Sequence, residues 1–308
     1  MDWSNSGSYT LFTHLAYADE YGPGYHPLHA EDGVPEHRHW TGITNARTNM
    51  AFTLGLPAES AAFVSLPVDT FFNTARYTLA DGVTPYTPPK AEIHHRNETL
   101  FGPGDAIVMG KRAFAFEQHN LTLVPSLGVS VPLGRTEDNP ITRGHEGLWH
   151  QHIQFGSGTW DPMVGLEAGF GSASEPWGID AWLLTRQALY FNDRGFRFGG
   201  RIGGGLYPRW RFSDALTFTT GIEGIHEGTD QWRDLTTGVT SSPENSGRDA
   251  VMLVAGVAWH LEDWGVTLTP QIRKIAWQNV QGGDMDQPFA LSIGASYLFG
   301  SPWAPPQP

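Results

Sequence analysis

The chain of 308 residues predicts an all-β fold, an antiparallel transmembrane β-barrel of about twelve strands with short turns at one end and long loops at the other. Three observations predict it. The hydrophobic period is two rather than 3.6, the connections alternate in length, and the composition suits a protein with lipid outside and polar groups inside. Charged residues make up 17% of the chain, aromatics 12%, and there are 37 glycines. A soluble enzyme of this size carries more charge.

The period is clearest in the last strand, expected over 289–299. Phe289, Leu291, Ile293, Ala295, Tyr297 and Phe299 fall on one face, and Ala290, Ser292, Gly294 and Ser296 on the other. Side chains alternate across a strand, so one face is greasy and the other small and polar. The segment 196–212 repeats the pattern. Phe196, Phe198, Ile202, Leu206, Trp210 and Phe212 share one side, and Arg197, Arg201, Tyr207, Arg209 and Arg211 the other. Further strands are expected over 8–17, 41–56, 61–80, 105–118, 121–133, 152–170, 177–191, 216–226, 249–260 and 264–277. Several of these exceed the roughly 5–6 residues usual in soluble sheets, which weighs against a sandwich or propeller.

Short connections fall at 57–59, 119–120, 172–176, 213–214 and 262–263, and long ones near 18–40, 82–103, 136–150 and 228–247. The turn 192–195 and the modest loop 281–287 interrupt this alternation. The pattern places both termini on the periplasmic side, with residues 1–300 as one barrel and the proline-rich 301–308 as a periplasmic tail unable to donate to a sheet. Trp160, Trp177, Trp210, Trp264 and Trp277 near strand ends read as interfacial girdles.

Other classes recede. The net charge of −13 opposes a nucleic-acid partner, since phosphate binding needs clustered Lys and Arg. There is no cysteine for disulfides or thiolate sites. No apolar run approaches the roughly 18 residues of a spanning helix. Residues 1–4 do not read as a signal peptide, so export implies a leader already removed.

Four segments carry a resemblance. Gln154-Phe-Gly-Ser-Gly-Thr-Trp-Asp-Pro162 resembles a glycine-rich signature of bacterial outer-membrane barrels described as transporters, loosely related to the phenol-degradation MetA-pathway group of hydrocarbon channels. Pro125-Ser-Leu-Gly-Val-Ser-Val-Pro-Leu-Gly134 is similar to that group's preceding strand, and Asn192-Asp-Arg-Gly-Phe-Arg-Phe-Gly199 to its following hairpin. Gly104-Asp105 resembles the start of an earlier strand. The similarity covers roughly residues 100–300 and implies the barrel fold and a transport role. Some relatives are associated with copper or heavy-metal handling.

Three constellations could carry chemistry. His26, His29, His37 and His39 fall in one expected outer loop, His94 and His95 in the next, and His145, His150 and His152 near the third, where imidazoles could pool to hold Cu, Zn or Ni; the bland alternative is solvated loop surface. Arg197, Arg201, Arg209 and Arg211, with Glu167 and Asp180 from the two preceding strands, are expected inside the barrel, as a structural ion-pair ladder or as a selectivity lining. In 156–162 the glycines permit a bend, and Ser157 lacks the spacing of a hydrolase motif, so no enzyme is expected. The leading expectation is an outer-membrane channel or facilitator for small solutes in contact with lipid and lipopolysaccharide. A metal-binding surface barrel and a structural partner in an envelope complex are the alternatives.

Overall fold

The computed structural model describes residues 5–21, 35–89, 91–171, 175–243, 246–281 and 287–297. His26, His29, Phe299 and the proline-rich tail lie outside the described residues. The strands are β1 (Asn5–Tyr21), β2 (His37–Leu56), β3 (Ser60–Leu79), β4 (Glu98–Pro103), β5 (Ala106–Arg112), β6 (Phe114–Phe116), β7 (Leu121–Val131), β8 (Asp161–Phe170) and β9 (Trp177–Arg186). They continue as β10 (Phe196–Arg197), β11 (Arg201–Arg211), β12 (Leu216–Glu227), β13 (Gln231–Arg233), β14 (Thr240–Ser241), β15 (Arg248–Leu261), β16 (Val266–Val280) and β17 (Phe289–Tyr297).

Fourteen of these segments form one antiparallel sheet. Pairing passes from β1 through β2 and β3 to β4 and β5, then through β7, β8, β9, β11, β12, β15 and β16 to β17, which pairs β1. The circuit therefore returns to its start and leaves no edge along its main run, the condition for a sheet to stand in lipid. With β4, β5 and β6 taken as one interrupted strand, the circuit has twelve positions. The break at Gly104-Asp105 is where this strand parts from the wall it shares with β7.

Register assigns the faces. Val108, Leu127, Val164, Leu183, Leu206, Ile222, Leu253, Ile272 and Leu291, one from each of nine strands, all point outward and are 37–68% exposed. A soluble protein does not expose such a continuous apolar band; against hydrocarbon it is the buried face. Ser292, Gly294 and Ser296 of β17 point inward, opposite Gln271, Thr269 and Thr267 of β16. Exposed Trp177, Trp210, Trp259 and Trp264 mark the short-turn end, and Trp160 and Trp277 the other.

Three expected strands are shorter than their hydrophobic pattern. The segment 152–170 becomes strand only at Asp161, and 177–191 stops at Arg186. The segment 196–212 breaks at 198–200, so that Phe196 and Arg197 join β13 and β14 in a separate three-stranded sheet. Beyond the breaks the chain leaves the ladder of the wall: Phe155 packs on Phe71 of β3, and Phe196 on Trp232 of β13. This also removes the irregularity at 192–195, because the whole connection from 187 to 200 is a long loop at the long-loop end.

Candidate functional site

The segment 132–160, between β7 and β8, turns into the barrel. Asn139 caps the short helix α2 (Pro140–His145; α1 is Ala91–His94) by accepting from the Ile141 and Thr142 amides. Farther on, buried Phe155 meets Phe71 edge-on at 5.4 Å between ring centres. Phe71 and Gly102 point inward by register, and a Cβ on Gly102 would stand 3.2 Å from the Phe155 ring. Phe155 therefore lies inside the circuit. Its return path runs against the outgoing chain: a Cβ on Gly134 would meet the Gly156 nitrogen at 2.5 Å, and one on Gly156 would meet Asp105 Oδ1 at 2.2 Å. Only glycine permits this approach.

Arg186, the last residue of β9, holds the segment down. Its Nε donates to Asp161 Oδ2 at 2.9 Å, and its Nη2 reaches Asp161 Oδ2 at 2.6 Å and Asp105 Oδ2 at 2.8 Å. Nη2 also lies 3.0 Å from Ser157 Oγ. Asp105 accepts further from the Ser157 amide at 2.8 Å and the Gly134 amide at 3.1 Å, and Thr159 Oγ1 donates to Asp161. Asn192 Nδ2 donates to the Ser157 carbonyl, tying in the connection 187–200. The partners of Ser157 Oγ are thus a carboxylate, a guanidinium and the Thr159 backbone, an arrangement that rivets a loop.

Above this clamp the histidines behave differently from expectation. His37 and His39 sit on β2, inward and buried, rather than in a solvated loop. His39 stacks on Tyr77 at 4.8 Å and meets His95 at 4.2 Å; His95 stacks on His152 at 5.2 Å, and His152 meets His150 edge-on at 5.1 Å. These contacts form a ring column that packs the inward segment against the wall. The His150 amide donates to the Ile93 carbonyl, and Gln151 donates to Glu98. Burial holds the His150 imidazole below its ordinary pKa. Among the described residues no group of three or more His, Asp or Glu is arranged to hold a metal ion. The His94 side chain and both His26 and His29 lie outside the described set.

Lower on the inner wall, the charges pair across strands. Asp180 accepts from Arg209 and Glu167 pairs Lys111 at 2.5 Å, whereas Glu227 pairs Arg201 at the level of the clamp, Arg201 being in register with Arg186. Arg211 points toward the Glu175 carbonyl at 3.5 Å. Arg197 is the exception: it leaves the wall for the small sheet, donates to Gln231 and stacks over Phe191 at 4.8 Å. Sequence reasoning passed over a second set. Arg47 forks onto Asp69 at 2.8 and 3.0 Å, and Trp182, Tyr207, Glu223, Arg273 and Ser292, one from each of five strands, form a continuous chain of hydrogen bonds. Parity within each strand marks these as inward, but only pairing shows that they meet.

The class of protein is now defined: a bacterial outer-membrane β-barrel with a loop segment docked inside it. No family model matches the chain, and no curated protein matches it. Among solved structures it is similar to an outer membrane channel from Pseudomonas putida F1, at 12% identity and TM-score 0.54, over 97% of this chain and 98% of that one. Weaker likenesses are to the NanC porin (11% identity, TM-score 0.45, 93% of this chain and 100% of that one) and to a deletion variant of the TodX monoaromatic hydrocarbon channel (8%, 0.45, 97% and 91%). At these identities the likeness concerns the fold. It agrees with the barrel fold that the motifs above imply.

Proposed function

We propose that this protein is an outer-membrane channel or facilitator for small polar solutes, with segment 132–160 as its constriction. The observation that supports this most is Phe155 anchored inside a ring of strands whose inner face is polar and charge-paired. Paired charges alone also fit a structural ladder; the aromatic carried into the bore on a clamped loop is what favours a constricted path. In this reading Arg201, Arg209, Arg211, Glu167 and Asp180 line the path, and their pairing leaves modest ion selectivity. Catalysis has no part in it. Planar-bilayer recording and liposome swelling test the proposal. Wild type should pass small solutes with low conductance, and deletion of 136–153 should raise conductance several-fold. Closed bilayers for both proteins, with no solute flux, would refute it.

A further inference from the structure

Two aromatic side chains near the middle of the inner wall lie flat against it. A Cβ on Gly205 would stand 2.6 Å from Trp182 Nε1, and one on Gly203 would stand 3.2 Å from Trp182 Cη2. Opposite ends of the indole thus touch the wall of β11, so the ring lies along it. A Cβ on Gly221 would stand 2.4 Å from Tyr207 Cδ1, and the far side of the same ring lies over Gly205, with Oη at 2.8 Å from that Cβ. The phenol therefore bridges β11 and β12 along the same wall. Trp182 Nε1 donates to Tyr207 Oη at 2.8 Å, and Tyr207 donates to Glu223, which locks both rings.

The result is one aromatic ledge, its back on glycine and its face toward the bore. It crosses β9, β11 and β12, roughly 10 Å at the usual strand spacing. Both rings retain solvent access. Fixed charges edge the ledge. On one side Glu167, 37% exposed, faces Trp182 in register and shares only Oε1 with Lys111. On the other, Arg273 donates through Nε to Glu223 and through Nη1 to Ser292, and its Nη2 has no bond among the described residues. Below, Arg209 lies flat on Gly178, beside Asp180.

We infer that this ledge binds a hydroxylated ring solute, a saccharide of about disaccharide size, within the bore. Resting on the channel reading, this names its substrate class. The C–H face of a sugar ring stacks on flat aromatic rings, and its hydroxyls reach charged donors and acceptors at the rim. A wholly apolar ring would cover the exposed part of Glu167 and the open guanidinium edge of Arg273 without returning a hydrogen bond, which is costly.

The test is titration calorimetry with maltose on refolded protein in a sugar-free detergent, with maltose block of bilayer current measured in parallel. Benzoate is the control for an aromatic ring that can offer one carboxylate to Arg273 but no hydroxyl to Glu167. Millimolar maltose binding is expected, weakened at least tenfold by Trp182→Ala and less by Trp182→Phe, with benzoate weaker than maltose throughout. Trp182→Phe keeps a ring on the glycine bed, so it remains informative if the alanine variant does not fold. Absence of maltose binding to wild type, binding unchanged in both variants, or benzoate bound more tightly than maltose would each overturn the assignment. Sugar binding without any conductance would remove the channel reading and leave the site; conductance without sugar binding would do the reverse.

Discussion

Two sets of ion pairs inside the same barrel differ in what they do, and burial is the reason. In the clamp, Asp105 and Asp161 are 2% and 0% exposed beneath Arg186. On the lower wall, Arg209 and Asp180 are 31% and 36% exposed. A buried pair that loses one member leaves a charge without solvent, which costs about 3–5 kcal/mol, while an exposed pair contributes about 0–1 kcal/mol. The clamp therefore holds structure, and the lower pairs set the field in the bore.

The largest effect that could break this contrast is at Arg186. Arg186→Ala should strand two buried carboxylates, destabilise the docked segment by about 3–5 kcal/mol and expose 132–160 to protease. Limited proteolysis of folded protein in detergent checks this, and a segment as protected as in wild type would contradict the structural role. Arg186→Lys, which cannot fork onto both acids, should fall between.

Gly156→Ala comes next. The new methyl would meet Asp105 Oδ1 and the Gly134 backbone, so a cost of about 1–3 kcal/mol is expected. Gly224→Ala is the control: no neighbour lies within 4 Å of the added methyl and its φ is not positive, so a change of about 1 kcal/mol or less is expected. Equal midpoints on heat-modifiability gels would show that the glycine contact does not govern docking.

A third prediction concerns the outer loops. Asp230 accepts from the Gly199 amide at 2.8 Å, and burial raises its pKa from 3.8 to about 6. An acid whose folded pKa is raised holds its proton longer in the folded state. Its contribution is therefore greatest below about pH 4 and declines as pH rises to about 6, then levels off. Hydrogen-exchange protection factors at the small sheet of β10, β13 and β14, with the intrinsic pH dependence of exchange divided out, should fall across that window. Asp230→Asn should flatten the profile, and a slope that persists in the variant would assign it to another group.

The smallest effect on stability belongs to the lower wall. Asp180→Asn should change stability by no more than about 1 kcal/mol, yet free Arg209 and shift the reversal potential under a salt gradient toward anions. An unmoved reversal potential would place this pair outside the conducting path.

Much of the fold was legible in the residues. Period two in 289–299 assigned Leu291 to lipid and Ser292 to the interior before any pairing was known, because neighbouring side chains in a strand must point to opposite faces. The resemblance rested on Gly104-Asp105, Gly134, 154–162 and Asn192, and all of these converge on one clamp. Arg186, at its centre, carried no such signal, since it sat in the middle of an apparently continuous strand.

The misplacements have a common cause. Alternation in 152–160 and around Phe196 reads as strand, but these stretches leave the ladder of the wall, where Phe155, Gly156 and Ser157 are buried in succession and Phe196 packs on Trp232 of the small sheet. His37 and His39 looked like loop residues because nothing local distinguishes a solvated histidine from one stacked on Tyr77. By itself, the sequence determined the face each strand shows to lipid and the end of the barrel that carries long loops. These follow from local geometry and from connection length. The inward turn of 132–160, the partners of Arg186 and the aromatic ledge on Gly203, Gly205 and Gly221 depend on residues far apart in the chain. Only the closure of the sheet brings them within hydrogen-bond distance, and so only the tertiary structure decided them.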